Sequence, residues 1–463
     1  MKNYDFSSII PSKVVEICTI LEKNGYVAGI VGGSIRDILL GFTPNDYDIT
    51  TSATPEDISR IFNFKNHYIS KTLDIKGAIE HGVTFILFKG EQFEIATFRK
   101  DGDYVGHHCE VSYGDVSLEE DLKRRDFTIN AMVYRPYTKE LIGVENSRED
   151  IENHVISTVG NAIDRFNEDP LRIMRAFRFQ STLGFNVSPE IIDAAKQLAP
   201  KILNCSYERI QKEFSKLIYG KNFKEAIISM YECGVMDVIM PEFRDVWECT
   251  QENPHHYLNV GEHTLEVMAN VPNTTLMRWA ALFHDFGKPA TKVFGEDGIC
   301  HFPQHPAKSE IIANDILRRF RFDNDFINMV CVLVKYHDSK FTTEKSIRKF
   351  ISKYGENLLL DELKLRRADV LGQHPTYQFD EKMKEVDMAV ELVDKVINDI
   401  HKKNVALKKS DLALRGKDIM EMGYGQGPII GQLLNELFDY VLEFPEKNTK
   451  EDLIKFLEER KNK

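Results

Sequence analysis

The chain has 463 residues, of which 42% are hydrophobic and 29% charged, with a formal net charge of −12. That length exceeds one ordinary core and predicts roughly two to four domains of a globular protein. The acidic balance argues against a wholly basic nucleic-acid-binding surface, although a local basic groove stays compatible with it. No apolar run approaches the roughly 20 residues that span a bilayer, so no membrane partner is expected, and residues 1–10 lack the features of a signal peptide. Seven scattered cysteines without a CxxC pair predict reduced thiols and a cytoplasmic location.

In chain order, residues 1–150 alternate short strands and helices. Apolar spacing predicts a helix over 14–21 and a strand over 27–31. Ser34 is placed to N-cap a helix running to residue 40, with Gly41 closing it. Thr54-Pro55-Glu56-Asp57 starts the next helix. Two strands, 83–88 and 93–98, are joined by Lys89-Gly90-Glu91, and residues 101–120 read as a loop of ordinary length. The expected fold of this part is a small α/β unit with a mixed sheet. Beyond residue 150 the strand signal fades, and helical patterns cover 170–181, 189–198, 206–219, 223–233 and most of 263–400. The tail, 411–463, is helical with a break at Gly423-Tyr424-Gly425-Gln426-Gly427-Pro428.

The stretch richest in chemistry is Gly32-Gly33-Ser34-Ile35-Arg36-Asp37, followed by Asp46-Tyr47-Asp48. A glycine turn opening a helix offers backbone N–H groups to an anion. Residues two apart on a strand share a face, so Asp46 and Asp48 converge on one spot suited to Mg²⁺ against phosphate oxygens. Glu94, amid the apolar alternation of Phe93-Glu94-Ile95-Ala96-Thr97-Phe98, is the candidate third carboxylate.

Gly-Gly-x-x-Arg-Asp, then Leu-Leu-Gly, then Asp-x-Asp-Ile resembles the class II branch of the polymerase-β nucleotidyltransferase superfamily, which holds tRNA CCA-adding enzymes and bacterial poly(A) polymerases. The resemblance continues in order to about residue 220. Arg124-Arg125-Asp126-Phe127-Thr128-Ile129-Asn130-Ala131-Met132 is similar to its ribose-sensing motif, and residues 160–166 to its hinge-like connector. Glu168-Asp169-Pro170-Leu171-Arg172 resembles the amino-acid template, and Glu208-Arg209-Ile210 through Glu213 the helix-stabilising motif. Asp169 can accept from an exocyclic amino group and Arg172 can donate to a ring nitrogen or carbonyl, so the pair can read the Watson–Crick edge of C or A. Arg172, Arg175 and Arg178 recur every three residues as a drifting positive stripe, which in isolation reads equally as a charged helix face. The resemblance implies that Gly33, Arg36, Arg125, Asp169, Arg172, Arg175 and Arg178 contact CTP or ATP, with Mg²⁺ on Asp46 and Asp48.

A second constellation comprises His263, the adjacent pair His284-Asp285, and Asp369, with His305 and His337 between. Leu282-Phe283-His284-Asp285-Phe286-Gly287-Lys288 and its neighbours resemble the HD phosphohydrolase superfamily, whose order is His, His-Asp, Asp. Imidazole and carboxylate ligands suit Mn, Fe, Ni, Co or Mg more than zinc, and a bound divalent ion would acidify a water for attack on a phosphate ester. His305 and His337 match the extra ligands of binuclear members. A degenerate site kept as scaffold is the alternative.

Residues 411–431 resemble the tail of class II CCA-adding enzymes, preceded by Lys402, Lys403, Lys408 and Lys409, plausible phosphate contacts. Arg318-Arg319 and Arg321 are a second basic run. The expected organisation is an α/β nucleotidyltransferase head (1–150) followed by an all-α neck (151–245), an HD body (246–400) and a tail that binds tRNA (401–463). The expected activity is template-independent addition of C, C and A to the tRNA 3′ end. Alternatives are a poly(A) polymerase, an enzyme specialised for CC or the final A, an HD phosphohydrolase with a vestigial head, and a non-catalytic RNA-binding protein. Residues 60–92 lack the Gly-Arg-Arg-Phe block shared by poly(A) polymerases, and His107-His108-Cys109 replace arginines found in many relatives.

Overall fold

The computed structural model describes residues 5–62, 82–105, 108–252, 257–296, 298–373, 375 and 379–461. The chain divides into two compact units, Met1–Pro241 and Glu242–Lys463.

The first unit is built on a six-stranded sheet. In chain order its strands and those of a neighbouring ribbon are β1 (Ala28–Val31), β2 (Asp48–Thr51), β3 (Val83–Phe88), β4 (Glu91–Thr97), β5 (Arg99–Val105), β6 (His108–Tyr113), β7 (Met132–Arg135) and β8 (Glu140–Gly143). The sheet order is β3-β4-β2-β1-β7-β8. Only β2 and β4 pair in parallel; the other pairs are antiparallel, so the sheet is mixed, as the sequence predicts. Lys89 and Gly90 both have positive φ (49° and 83°), which is the two-residue turn that matches the twist of a β3–β4 hairpin. Gly29 in β1 is required by close approach, because a Cβ there would meet Val133 Cγ1 at 2.4 Å.

Helix Ser12–Lys23 buries Val14, Ile17, Cys18 and Leu21, the i, i+3, i+4, i+7 stripe that the sequence shows. Thr54 closes a capping box with Asp57 at the start of helix Pro55–Ile61, worth about 1 kcal/mol. Ser34 does not cap its helix. That helix runs Gly33–Leu39 with Gly32 as N-cap, and the Ser34 hydroxyl donates to the Val31 carbonyl. The segment read as a loop at 101–120 is largely the antiparallel β5–β6 ribbon, with a register shift between Asp101 and Tyr104. Asp101-Gly102-Asp103 interrupts the alternation that would have marked it. The side chains of His107-His108-Cys109 lie outside the described residues.

Past residue 150 the unit is helical, with helices Ala162–Glu168, Leu171–Leu183, Pro189–Leu198, Tyr207–Tyr219 and Phe223–Glu232. Strand structure does not vanish, since Val155–Ile156 pairs in parallel with Asn186–Val187. Two-residue strands are too short to leave a period in the sequence.

The second unit is a set of helices around fully buried Trp279, which packs against Phe283, Phe320 and Phe322. One small hairpin, Val293–Phe294 with Cys300–His301, interrupts it. The tail forms its own core from Leu412, Leu414, Ile419, Leu433, Leu437, Val441, Leu453 and Leu457. Its helices Gly416–Glu421 and Pro428–Glu443 flank the predicted break, with Gly427 as N-cap and Pro428 at the first helical position. Among the described residues no helix is long and apolar enough to cross a membrane. Arg319 of the basic run is held by both oxygens of Glu242, and Lys403 pairs with Asp399 at 3.2 Å.

Candidate functional site

In the first unit the chain leaves β1 through Gly32, whose φ of 80° lies in the left-handed region, a conformation that costs a side-chain-bearing residue about 1 kcal/mol or more. A Cβ on Gly32 would sit 3.9 Å from both Arg125 Nη1 and Asp48 Oδ2, so the turn, the arginine and the carboxylate are neighbours. Strand β2 begins at Asp48, and Asp46 lies just before it rather than on the ladder. The parallel register Ile49↔Ile95 places Glu94 beside Asp48. All three carboxylates are solvent-exposed as residues, yet close enough to act on one another. Partial desolvation raises Asp48, with Asp46 adding repulsion and Arg125 opposing it. Desolvation likewise raises Glu94, reinforced by Asp48 and Asp46. Three mutually repelling oxygen donors in an open setting fit a hard, oxygen-seeking cation.

Around this trio lies a network of arginines already paired with carboxylates. Fully buried Asp121 accepts from Arg124 at 2.6 Å and Arg125 at 3.1 Å. Arg36 donates to Asp37 at 2.7 and 2.9 Å and to Asn130 Oδ1 at 2.8 Å, so Asn130 is an arginine partner. On helix Leu171–Leu183, Arg172 pairs with Glu168, Arg175 with Asp126 at 2.5 Å, and Arg178 with Glu213 at 3.0 Å while lying 4.0 Å over the Phe179 ring. Arg172 is buried and Arg175 and Arg178 half-buried, so the stripe is not a solvated helix face. Asp169 accepts from Leu171 N–H at 3.1 Å through one oxygen and from Arg209 at 2.7 Å through the other. Asp121 is absent from the sequence reading, and Asp126, Arg209 and Glu213 stand in it only as members of motifs, without individual contacts. Arg209 and Glu213 were visible in the Glu208-Arg209-Ile210 motif, whereas nothing local in the sequence marks Asp121.

The second unit gathers all six residues of the histidine–aspartate set. His263 lies on helix Val260–Asn270, His284-Asp285 directly follows helix Thr275–Phe283, His305 opens helix His305–Arg319, His337 follows helix Asn324–Tyr336, and Asp369 lies on helix Glu356–Leu371. Each of the four imidazoles presents Nδ1 to a backbone carbonyl: His263 to Gly372 at 3.1 Å, His284 to Ala281 at 2.7 Å, His305 to Phe302 at 2.9 Å and His337 to Val334 at 2.7 Å. These bonds fix the ring orientations and turn every Nε2 inward. The donor atoms fall into two groups, His263–His284–Asp369 and Asp285–His305–His337. Asp285 spans both: Oδ2 lies 3.1 Å from His284 and 3.5 Å from His263, and Oδ1 lies 3.3 Å from His305 and 3.7 Å from His337. Burial and the neighbouring His284 push His337 down to about 3. Burial opposes ionisation of Asp285, but His284 and Lys288 hold it well below the usual carboxylate range. A cavity of about 190 Å³ opens onto this cluster, lined in part by Lys288, Phe302, Asp338 and Gln373. Lys288, quoted in the sequence reading as the end of the His-Asp motif but given no role there, pairs with Asp285 at 2.7 Å. The donor set suits one or two divalent cations.

Residues 28–157 match the Poly A polymerase head domain, 184–246 the probable RNA and SrmB-binding site of polymerase A, and 255–372 the HD domain. The CCA-adding enzyme of Lactococcus lactis subsp. cremoris (strain SK11) is 30% identical over 447 residues, covering 95% of this chain and 94% of that protein. The CCA-adding enzyme of Streptococcus pneumoniae serotype 19F (strain G54) is 42% identical over 234 residues; the aligned stretch covers about half of each chain, 50% of this one and 56% of that one. Among solved structures, the Bacillus stearothermophilus CCA-adding enzyme in complex with CTP superposes with a TM-score of 0.70 at 28% identity, covering 97% of both chains.

Proposed function

This chain belongs to the CCA-adding enzyme family, and from that membership we propose that it adds C, C and A to the 3′ end of tRNA, using CTP and ATP. The observation that carries the reading is the β2–β4 register, which sets Glu94 next to Asp48 with Asp46 close enough to repel both. Asp46, Asp48 and Glu94 are the residues that would hold Mg²⁺. The ion, when bound, activates the tRNA 3′-hydroxyl and neutralises the departing pyrophosphate. Arg125, beside Asp48 and Gly32, is placed to take a phosphate or ribose oxygen, and Gly33 and Arg36 flank the same turn. Asp169 and Arg172 read the base, and Arg175 and Arg178 contribute charge to the incoming triphosphate. Because these arginines are already ion-paired, an entering nucleotide exchanges one partner for another rather than ordering free side chains. That lowers the entropic cost of binding.

The division into head (1–150), neck (151–245), HD body (246–400) and tRNA-binding tail (401–463), and a cytoplasmic location, form part of the same proposal. The test is incubation with tRNA lacking its 3′ end, ending in C, or ending in CC, each with labelled CTP or ATP and Mg²⁺. Stepwise incorporation that stops after A supports the reading. No incorporation overturns it. Unlimited A-tailing of generic RNA makes the protein a poly(A) polymerase, and arrest after CC or addition of A alone makes it a specialised enzyme.

A second activity, metal-dependent phosphate-ester hydrolysis by the HD body, is favoured by one observation: the two oxygens of Asp285 face different histidine groups. His263, His284, Asp285 and Asp369 would hold one divalent cation, with Mn, Ni, Co or Mg as candidates, and His305 and His337 a second through Asp285. A cation so held supplies an acidified water.

A further inference from the structure

Asp121 is fully buried on helix Leu118–Lys123, which Ser117 opens with a capping box to Glu120. A carboxylate is costly to bury unless it is both paired and hydrogen-bonded. Its two oxygens are satisfied in different ways. Oδ1 accepts from Arg124 Nε at 3.0 Å and Nη2 at 2.6 Å, and from the Arg99 backbone N–H at 3.3 Å, where β5 begins. Arg124 Nε also donates to the Arg99 carbonyl at 3.1 Å. These contacts fix the carboxylate in place. Oδ2 is left for Arg125, whose Nη2 donates to it at 3.1 Å.

Among the described residues no other hydrogen bond orients Arg125, whose buried Nε has no partner. Nη1, the other arm of the guanidinium, lies 3.9 Å from the point that a Cβ on Gly32 would take, and Asp48 Oδ2 lies 3.9 Å from the same point. Against burial and the repulsion of Asp46, Arg125 lowers the Asp48 carboxyl. One arm of the fork is therefore anchored in the interior while the other faces the glycine turn and the carboxylates. A buried ion pair adds little net stability over a packed apolar pair, so what this one supplies is direction. An arginine held in advance also has less freedom to lose when a ligand binds. We propose that Asp121 is a positioning residue, holding Arg125 through Nη2 so that Nη1 is presented to a phosphate or ribose oxygen of CTP or ATP beside Asp48. The proposal rests on the nucleotide-addition reading of the head.

The test is calorimetric titration of the full-length chain with CTP in Mg²⁺ without tRNA, together with KM and kcat for ATP addition to tRNA ending in CC. Wild type is compared with Asp121→Asn, Arg125→Ala and the double variant. Asp121→Asn is expected to weaken CTP about tenfold, and to raise the KM for ATP by more than it lowers kcat. In the Arg125→Ala background the same substitution is expected to add less than about twofold, because its effect passes through that guanidinium. Arg125→Lys leaves Asp121 paired with Arg124 and decides the matter if Asp121→Asn does not fold. It is expected to weaken CTP to a similar extent, since one compact ammonium cannot replace both arms of the fork. Unchanged CTP affinity in Asp121→Asn or Arg125→Lys overturns the proposal. So do equal losses from Asp121→Asn with and without Arg125, which would make Asp121 a structural anchor. A wild type that binds CTP but adds nothing to tRNA overturns the nucleotide-addition reading, while the calorimetric cycle still decides the role of Asp121; one that binds no CTP overturns both.

Discussion

The head and the HD body each gather side chains able to hold a cation, but by opposite means. In the head, Asp46, Asp48 and Glu94 are exposed and repel one another, and burial together with that repulsion raises the carboxyls of Asp48 and Glu94. In the HD body, His263, His284, Asp285 and His337 are buried, and every imidazole is pinned through Nδ1 to a carbonyl. On the proposed function the first arrangement would be completed only by cation and nucleotide phosphates together; in the second, the potential donor atoms already face each other. Open sites suit ions that keep waters and bridge to substrate phosphates, whereas closed imidazole cages hold an ion independently of substrate.

The sharpest way to break this contrast is a reciprocal pair of substitutions. Asp48→Ala is expected to lower nucleotide addition by at least about 10³-fold while leaving p-nitrophenyl phosphate hydrolysis intact, because it removes a cation-binding oxygen from one unit alone. Asp285→Ala should do the reverse and reduce bound metal, measured by elemental analysis. If either substitution abolishes both activities in a folded protein, the two sites are not independent.

Chelation gives the next largest effect. After EDTA, addition should stop and return at once with Mg²⁺, while metal re-enters the HD body slowly. Cation at a thousand times its Kd stabilises the folded state by about 4 kcal/mol. Calorimetry should therefore show a lower Tm after chelation, recovered by a divalent cation that the HD cage accepts; an unchanged Tm would show that no cation is held there.

The contrast also explains what the sequence made legible. The six clustered histidines and aspartates could be picked out because the motif residues are themselves the ones that meet, and helices hold such spacings faithfully. In the head, Asp46 and Asp48 were recognisable, but their geometry was misjudged. The strand starts at Asp48, so it is the parallel pairing with β4 that brings Glu94 into line, and pairing between distant strands leaves no local period. The arginine stripe was visible as spacing, whereas its neutralisation by Glu168, Asp126 and Glu213 depends on tertiary contacts.

Asp169 sharpens the head side of the comparison. Its second oxygen is occupied by Arg209, so this helix end is preset while the cation site is not. Arg209→Ala should leave Mg²⁺ dependence unchanged but reduce discrimination of CTP and ATP from UTP and GTP by about tenfold, or 1.4 kcal/mol. Competition assays with mixed nucleotides would measure it, and unchanged discrimination with a merely lower Tm would reduce Arg209 to a structural partner.

Glu362 supplies the smallest test, and it bears on the rigidity of the HD side. It lies on the same helix as Asp369, fully buried, with no hydrogen-bond partner for either carboxyl oxygen among the described residues. Burial raises its carboxyl well above the usual range, with Arg366 opposing and Asp338 reinforcing. The folded protein therefore holds a proton that the unfolded chain releases above about pH 4.3. Its contribution to stability is intact below that pH and is lost as pH rises toward the folded value, at about 1.4 kcal/mol per pH unit. Glu362→Gln, which cannot ionise, should flatten that decline, so wild type and variant coincide near pH 4 and separate progressively above it in thermal melts. Parallel curves would mean that this carboxyl is ionised in the fold, and that the helix carrying Asp369 relaxes to hydrate it. The cage would then be less rigid than its four pinned imidazoles imply.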